Sequence, residues 1–232
     1  MTSRKIRKIL RVVTTPVVSR WNRWLSSMLP YSPMRGGEDV LNAEYARGLW
    51  DYLGDVTELP RFSVIVGFCH HYRGGGKILE IGCGEGILWE RLCPTKYASY
   101  VGVDVSAEAI RRASHKQNEK TQFVREDASV FQPDERFDLI VFNECLEYFD
   151  DPLKLLRRYE DFLEEDGIYI VSMFVGLDTV RTKRIWKMIG SVYTAEAETR
   201  VSTRKKLTWT IKVFSPLQSK RPVSRILHAE SK

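Results

Sequence analysis

Three glycines at alternate positions are the residues best suited to binding a ligand. Gly82, Gly84 and Gly86 end the sequence Lys-Ile-Leu-Glu-Ile-Gly-Cys-Gly-Glu-Gly, which starts at residue 77. Glycine lets a backbone come close to a ligand because it has no Cβ atom. A helix starting directly afterwards, near Ile87, would add unpaired backbone N–H groups beside the ligand. The spacing therefore predicts a buried strand, a tight ligand-binding loop and a helix.

Acidic side chains around the glycines indicate the charge of that ligand. In dinucleotide-binding loops the third glycine has the sixth position of G-x-G-x-x-G, but Ile87 stands there in this chain. Glu80 and Glu85 would repel a pyrophosphate, whereas they suit a cation. We expect Cys83 to contribute its small size and its backbone, because the sequence has neither Cys-x-x-Cys nor zinc-ligand spacing. No metal is predicted.

Strand-like and helical segments alternate after the glycine loop, which predicts a parallel sheet with helices on both faces. The last two strand-like segments, 192–201 and 207–214, are joined by a link too short for a parallel crossover. They predict an antiparallel hairpin at the edge of a seven-stranded, mostly parallel sheet, so the fold class is α/β. The other predicted elements are strands 78–81, 100–104, 122–126, 137–143 and 167–173, and helices 40–53, 59–72, 87–93, 107–117, 152–163 and 178–190.

Charge divides the 232-residue chain into three parts. Residues 1–37 carry basic side chains and no acidic one, and residues 216–232 are also basic on balance. Because the net charge of the whole chain is only +6, the centre is acidic. We predict a basic amphipathic extension and linker over 1–37, one domain over 38–215 and a flexible basic tail over 216–232. The acidic domain argues against a nucleic-acid partner.

The extension has apolar residues at helical spacing through residues 3–29, including Trp21 and Trp24. Two interpretations stay open: a helix on the surface of an anionic membrane, or an accessory helix packed on the domain. No apolar run approaches the ~18 residues of a membrane-spanning helix, and Arg11 interrupts any signal-peptide core. We predict a cytoplasmic protein, with peripheral contact to the inner face of a membrane as the alternative.

Four motifs share the order and spacing of one enzyme family. The segments 80–86, 101–106, 126–128 and 137–144 resemble the successive motifs of the class I S-adenosylmethionine-dependent methyltransferases of small-molecule type. The resemblance extends over residues 77–172. It implies a Rossmann-like sheet and S-adenosylmethionine, which carries a positive sulfonium, as the cofactor.

The resemblance also implies a role for each motif residue. Asp104 would accept hydrogen bonds from both ribose hydroxyls, which suits the two oxygens of a carboxylate. Asp127 would meet the adenine amino group, and Asn143 would line the methionine end. The implied cofactor-binding residues are Glu80, Gly82, Cys83, Gly84, Gly86, Asp104, Val105, Asp127, Ala128 and Asn143.

The segment after the fourth motif strand bears on the methyl acceptor. Many relatives that act on small molecules have a histidine where Tyr148 stands. The tyrosine form resembles a bacterial subset that includes the N-methyltransferases of nodulation factors. Glu144, Glu147 and Tyr148 are candidates to orient or deprotonate an acceptor, and a structural role for each is the alternative. We expect residues 38–60 and 174–200, which are rich in aromatic side chains, to roof the acceptor pocket.

Absent motifs narrow the function further. No Asn/Asp-Pro-Pro-Tyr/Phe sequence follows the fourth strand, which disfavours methylation of adenine or glutamine amino groups, and no Pro-Cys supplies a thiol for cytosine chemistry. We predict an enzyme that transfers a methyl group to O or N of a small-molecule, glycan or lipid-linked acceptor. The alternatives are an RNA or protein methyltransferase, or a non-catalytic module that binds the cofactor.

Overall fold

The computed structural model describes residues 31–34, 37–92, 97–175, 179–204 and 207–216. All elements described below belong to one compact unit that begins at Pro33. The predicted amphipathic helix over residues 3–29 lies outside the described residues, and so does the predicted tail beyond Pro216. Among the helices that the structure describes, none is both long enough and apolar enough to cross a bilayer.

One seven-stranded sheet forms the centre of the described fold, in the order β3-β2-β1-β4-β5-β7-β6. The first five strands in this order, β3, β2, β1, β4 and β5, are parallel, whereas β7 pairs antiparallel with both β5 and β6. This topology confirms the predicted fold class, the Rossmann-like sheet and the terminal hairpin. The strands are β1 (Lys77–Ile81), β2 (Ser99–Asp104), β3 (Thr121–Arg125), β4 (Phe137–Asn143), β5 (Leu163–Phe174), β6 (Ala195–Ser202) and β7 (Thr208–Phe214).

Helices and short 3-10 turns connect the strands. Local sequence fixes several of their ends: Ser106 accepts the Ala109 N–H at 3.1 Å as an N-cap, and Asp151 caps a helix whose first residue is Pro152. The helices are α1 (Glu38–Ala46), α2 (Leu59–Arg73), α3 (Ile87–Leu92), α4 (Ala107–Ala113), α5 (Pro152–Glu160) and α6 (Thr179–Gly190), with 3-10 turns at Asp51–Gly54, Ser114–Lys116 and Leu146–Tyr148.

The strand order places the functional edge of the sheet. Strand β1 lies between β2 and β4. The strands that follow β1 therefore extend the sheet first on one side of β1, through β2 and β3, and then on the other side, from β4 onwards. Ligands of open α/β sheets bind outside the carboxyl ends of the strands at such a switch point. Helix α2 packs near β4, β5, β6 and β7, and α1 packs near α4. The elements before β1 therefore reach both halves of the sheet.

Several predicted boundaries were wrong: helices 107–117 and 152–163 end at Ala113 and Glu160, strand 192–201 begins at Ala195, and two further elements also differ. The predicted helix 40–53 ends at Ala46, and Gly48 then adopts a left-handed φ of +67°, which stops the helix. Strand β5 starts at Leu163 and not at residue 167, because Leu163 already pairs with Phe137 before the register shifts and Ile168 pairs with Leu139. The shift lets the strand include the exposed residues 164–166.

The predicted roof over residues 174–200 was also wrong in part. Tyr193 is buried at 2% exposure, where its ring contacts Tyr169 and Phe214 and its hydroxyl donates to Glu160. Trp186 packs on Phe214 with a 6.2 Å separation of the ring centroids. Their aromatic surface is therefore used to join α6 and the following link to the sheet.

Candidate active site

The glycine loop connects β1 to α3 at the carboxyl edge of the sheet. Gly82 has a φ of +72° and Gly84 a φ of +56°, a region that L-residues with side chains rarely adopt. A Cβ atom on Gly82 would lie 2.6 Å from Cβ of Cys145, and one on Gly84 would lie 2.5 Å from the hydroxyl oxygen of Tyr45. Close packing of the protein itself, in addition to any ligand, requires glycine at these two positions.

Asp104 ends β2 and fastens the glycine loop. Its Oδ2 atom accepts the Gly84 N–H at 2.9 Å, and its Oδ1 atom accepts the Ser106 N–H at 2.8 Å. Burial raises the pKa of this carboxyl group, while the two backbone donors oppose the rise. Each oxygen of a carboxylate has a second acceptor position. The half-buried Asp104 can therefore hold the loop and still accept two hydroxyl groups of a ligand.

Glu80 lies beneath the loop, at 1% exposure. The Tyr100 hydroxyl donates to its Oε2 atom, and Nδ2 of Asn143 donates to its Oε1 atom at 3.3 Å. Burial raises the pKa of Glu80 to about 7, against the lowering effect of Tyr100, Asn143 and the charge of Arg61. With both oxygens held by protein donors, Glu80 can act on a ligand through its charge.

Strand β4 ends in Asn143, which is followed by a residue in an unusual conformation. Glu144 has a φ of +59°, the one positive φ of a non-glycine residue among those that the structure describes. Its Oε1 atom accepts the Ser172 hydroxyl at 2.7 Å, and its own N–H donates to the Ser172 carbonyl at 3.0 Å. Burial raises the pKa of Glu144, and Arg61, Ser172 and the Phe174 N–H oppose this. Residues other than glycine that adopt the left-handed backbone conformation occur preferentially at functional sites.

Glu147 and Tyr148 lie in the 3-10 turn after Glu144. The carboxylate of Glu147 accepts the Thr182 hydroxyl at 3.1 Å, and its carbonyl accepts the Met34 N–H at 2.7 Å. The half-buried Tyr148 has a raised pKa, chiefly because of burial and then because of Glu147 and Glu44. A phenol with a raised pKa stays protonated, so Tyr148 is suited to donate a hydrogen bond and unsuited to accept a proton.

Asp127 and Ala128 follow β3, at the far side of the site. Asp127 is exposed, and its Oδ1 atom accepts the Ser129 N–H at 2.8 Å. Ala128 is buried, and its carbonyl accepts the Tyr159 hydroxyl at 2.9 Å. Val105 lies between Asp104 and the N-cap of α4. These residues flank the same edge as the glycine loop, and within the described part of the chain their hydrogen bonds do not extend to Glu80 or Asn143.

The segment 38–54 contacts the glycine loop through Tyr45. Its role in roofing the acceptor pocket stays a prediction. Tyr45 lies over Gly84, and Tyr45, Trp50 and Tyr52 stack with centroid separations of 5.8 and 6.2 Å. Arg112 of α4 fastens this segment: it donates to the Tyr45 carbonyl and pairs with Asp51 at 2.9 Å and with Glu85 at 3.2 Å. Glu85 is thus engaged by the protein.

Sequence reasoning missed Glu58, Arg61 and Tyr100. Arg61 is 2% exposed, and its Nη1 atom donates to Oδ1 of Asn143 at 2.5 Å, while its Nε atom donates to Glu58 at 3.0 Å. The signal was an isolated arginine in the apolar segment Leu-Pro-Arg-Phe-Ser-Val-Ile-Val. A buried position for that arginine requires acidic or carbonyl partners, but sequence alone does not say which ones.

Comparison with known proteins gives the class. The family described as "Methyltransferase domain" matches residues 44–208, and the chain belongs to this family. Its predicted class, a Rossmann-like enzyme that uses S-adenosylmethionine, is confirmed. The buried acidic residues suit the positive charge of this cofactor, and the two carboxylate oxygens of Asp104 suit its two ribose hydroxyls. In the part of the chain that the structure describes, no group of three or more His, Cys, Asp or Glu is arranged to hold a metal ion.

Particular relatives match over part of their length. The chain is 32% identical over 105 residues to malonyl-[acyl-carrier protein] O-methyltransferase 2 of Ilyobacter polytropus, covering 44% of this chain and 40% of that protein. It is 29% identical over 109 residues to the ubiquinone biosynthesis O-methyltransferase of Actinobacillus pleuropneumoniae serotype 5b, covering 42% and 45% respectively. The matched region thus spans less than half of each of these relatives.

A solved structure shares the fold. The N-methyltransferase NodS of Bradyrhizobium japonicum WM9, in complex with S-adenosyl-L-homocysteine, superposes with a TM-score of 0.65 at 20% identity. The match covers 75% of this chain and 96% of that one. At this identity the likeness establishes the fold, and the methyl acceptor has to be argued from the site.

Proposed function

We propose that this protein transfers a methyl group from S-adenosylmethionine to O or N of a small-molecule, glycan or lipid-linked acceptor. The observation that carries the proposal is the placement of three acidic residues at one edge of the sheet, with Glu80 in β1, Asp104 at the end of β2 and Glu144 directly after β4, where these strands meet at the switch point. Buried negative charge on both sides of β1 favours a positively charged sulfonium over a pyrophosphate.

The residues divide the work between binding and positioning. Asp104 holds the ribose while its backbone partners keep it oriented, and the glycine loop sits beneath the ligand. Asp127, Ala128 and Val105 border the adenine, and Asn143 borders the methionine end, as the family motifs imply. The cofactor supplies an activated methyl group. The chain therefore has to align the acceptor and exclude water, which the stacked Tyr45, Trp50 and Tyr52 support.

Glu144 is our candidate for the proton acceptor when the acceptor atom is a hydroxyl oxygen. The O-methyltransferase names of the matched relatives support an oxygen acceptor. Glu144 follows β4 at the ligand-binding edge, and its Oε1 atom is oriented by Ser172 at 2.7 Å. A neutral amine would need no base, in which case Glu144 only aligns it. Glu147 and Tyr148 then contribute to the wall of the pocket and orient the acceptor.

The test is a labelled-methyl transfer assay on metabolite and lipid extracts with the full chain. We expect label in a small-molecule or lipid fraction, loss of transfer in Asp104→Ala and a strong reduction in Glu144→Gln. Arg157→Gln, which changes an exposed arginine of α5, is the matched control. Label recovered solely in RNA or protein would support the alternative acceptor, and cofactor binding without transfer on any extract would support a non-catalytic module.

A lipid-linked acceptor connects this function with the basic extension. We propose that residues 3–29 make peripheral contact with an anionic membrane surface, on the strength of their apolar spacing, Trp21, Trp24 and basic residues. Sedimentation of the full chain with anionic vesicles should exceed that with neutral vesicles. Trp21→Ala with Trp24→Ala should reduce it. Equal sedimentation with both vesicle types would contradict the contact and would leave the methyltransferase proposal standing.

A further inference from the structure

Arg61 is a buried cation at the centre of the polar network behind the site. It lies in the first turn of α2, at 2% exposure, and its guanidinium carbon lies 4.0 Å from the centroid of the Phe62 ring. One edge of the guanidinium bonds to Glu58 at 3.0 Å and another bonds to Asn143 at 2.5 Å. A buried arginine is costly unless it is paired, so these contacts decide where the group sits.

The contact with Asn143 fixes the orientation of its side-chain amide. Arginine has donors only, so it must face the Oδ1 atom of Asn143. The Nδ2 atom is thereby turned towards Glu80, whose Oε1 atom lies 3.3 Å away, and Tyr100 donates to the other oxygen of Glu80. A continuous chain of hydrogen bonds runs from α2 through β4 and β1 to β2. It ends beneath the cofactor loop.

The same guanidinium acts on the acceptor side. Its positive charge favours the ionised form of Glu144 and opposes the effect of burial on the pKa of that carboxyl group. The Ser172 hydroxyl and the Phe174 N–H reinforce the ionised form from β5. The titratable groups that interact electrostatically with Glu144 include Arg61 and Glu58 from the α2 region and Cys145 and Tyr148 from the loop after β4.

We propose that Arg61 is a positioning residue that couples the two ends of the site: it orients Asn143, and through it Glu80, under the cofactor, and it places a positive charge next to the strand end at which Glu144 follows Asn143. The part that concerns the acceptor rests on the proposed function. Arginine is required because its planar fork can bond Glu58 and Asn143 at once, which the single ammonium of a lysine cannot reproduce in the same geometry.

The test separates the charge of Arg61 from its shape. In protein labelled with ¹³C at glutamate carboxyls, the Glu144 signal is assigned by its loss in Glu144→Gln and titrated by NMR. Arg61→Gln should raise the apparent pKa of Glu144 by about one unit or more. Arg61→Lys, which keeps the charge, should raise it much less. Arg157→Gln, which removes the charge of an exposed arginine of α5, should leave the pKa of Glu144 unchanged.

Binding of S-adenosylhomocysteine, measured by calorimetry, supplies the second readout. Both Arg61 variants should bind it about tenfold more weakly, because Asn143 loses its orientation. If Arg61→Gln does not fold, Arg61→Lys still tests the positioning role, with wild-type affinity as the opposing result. A Glu144 titration in Arg61→Gln that equals wild type would overturn the proposal. Neither measurement needs a methyl acceptor, so failure of the proposed function would show separately, as absent transfer by a wild-type enzyme that binds the cofactor.

Discussion

The two halves of the site are built in different ways. In the cofactor half, the glycine loop and Asp104 are close in sequence, lie on neighbouring strands and are joined through backbone N–H groups. In the proposed acceptor half, Glu144 accepts a hydrogen bond from Ser172 of β5, and its neighbour Asn143 accepts one from Arg61 of α2, which is 82 positions away in the chain. The first half is a local structure, whereas the second exists only after the fold has brought distant helices and strands together.

The largest effect on cofactor affinity is expected for Asp104, because this one side chain both holds the glycine loop and is the predicted partner of the ribose. Asp104→Ala removes the acceptor for the Gly84 and Ser106 N–H groups as well as the predicted partner of the ribose. Hydrogen bonds to charged groups contribute about 1.5–3 kcal/mol each, so affinity for S-adenosylmethionine should fall by more than about 100-fold in calorimetry. The exposed Asp134→Ala is the control. Unchanged affinity in Asp104→Ala would remove Asp104 from the cofactor site.

The same contrast explains what the sequence could predict. The succession of strands and helices, the glycine loop and the choice of Asp104 followed from the alternation of apolar segments and from motifs a few residues long, because local spacing determines them. The isolated Arg61 and the hydroxyl of Tyr100 could not be assigned partners, since their contacts depend on how α2 and β2 pack around β1 and β4. Tyr193 was placed in the roof because aromatic content alone does not distinguish a pocket wall from a core.

A second prediction tests whether Tyr45 packs directly on the glycine loop of the cofactor half. Gly84→Ala would force a side chain into a left-handed conformation and place Cβ 2.5 Å from the Tyr45 hydroxyl oxygen. We expect a loss of about 2 kcal/mol in the free energy of unfolding, from backbone strain and the displaced Tyr45. Denaturant unfolding measures it.

Gly67 provides the matched control for that substitution. It lies exposed within α2 with no atom near an added Cβ, so Gly67→Ala should stabilise the protein by about 0.5–1 kcal/mol. Combining Gly84→Ala with Tyr45→Phe should recover part of the loss, because the contacting hydroxyl is gone. Equal effects of the two glycine substitutions would mean that the loop tolerates a side chain and that Tyr45 does not cover it.

A third prediction concerns the charge beneath the loop. The pKa of Glu80 in the folded protein is raised to about 7 from an ordinary value of 4.5. Between these two pH values, Glu80 is protonated in the folded state and ionised in the unfolded state. The contribution of Glu80 to stability is therefore present below about pH 4.5 and is lost as the pH rises to about 7. A cationic ligand reverses the preference, because it favours ionised Glu80.

The expected result is a ratio of affinities that depends on pH. Between pH 6 and pH 8, binding of S-adenosylmethionine should strengthen by about tenfold more than binding of S-adenosylhomocysteine, which lacks the sulfonium charge. Glu80→Gln, which keeps an acceptor for Tyr100, should remove most of this difference in calorimetric titrations. A ratio that stays constant in the wild-type protein would show that the buried acid does not sense the sulfonium.

The smallest effect is expected at the outer end of the cofactor half, where Asp127 is exposed. Asp127→Asn keeps an oxygen for the Ser129 N–H and changes only the charge and one acceptor of the predicted adenine contact. A solvent-exposed hydrogen bond contributes little, so affinity for S-adenosylmethionine should fall by only about threefold. The affinity for the cofactor analogue with unsubstituted purine, in which hydrogen replaces the adenine amino group, should be about the same in Asp127→Asn and in wild type. A loss as large as that in Asp104→Ala would mean that adenine recognition, and not the fastened loop, dominates binding in the local half.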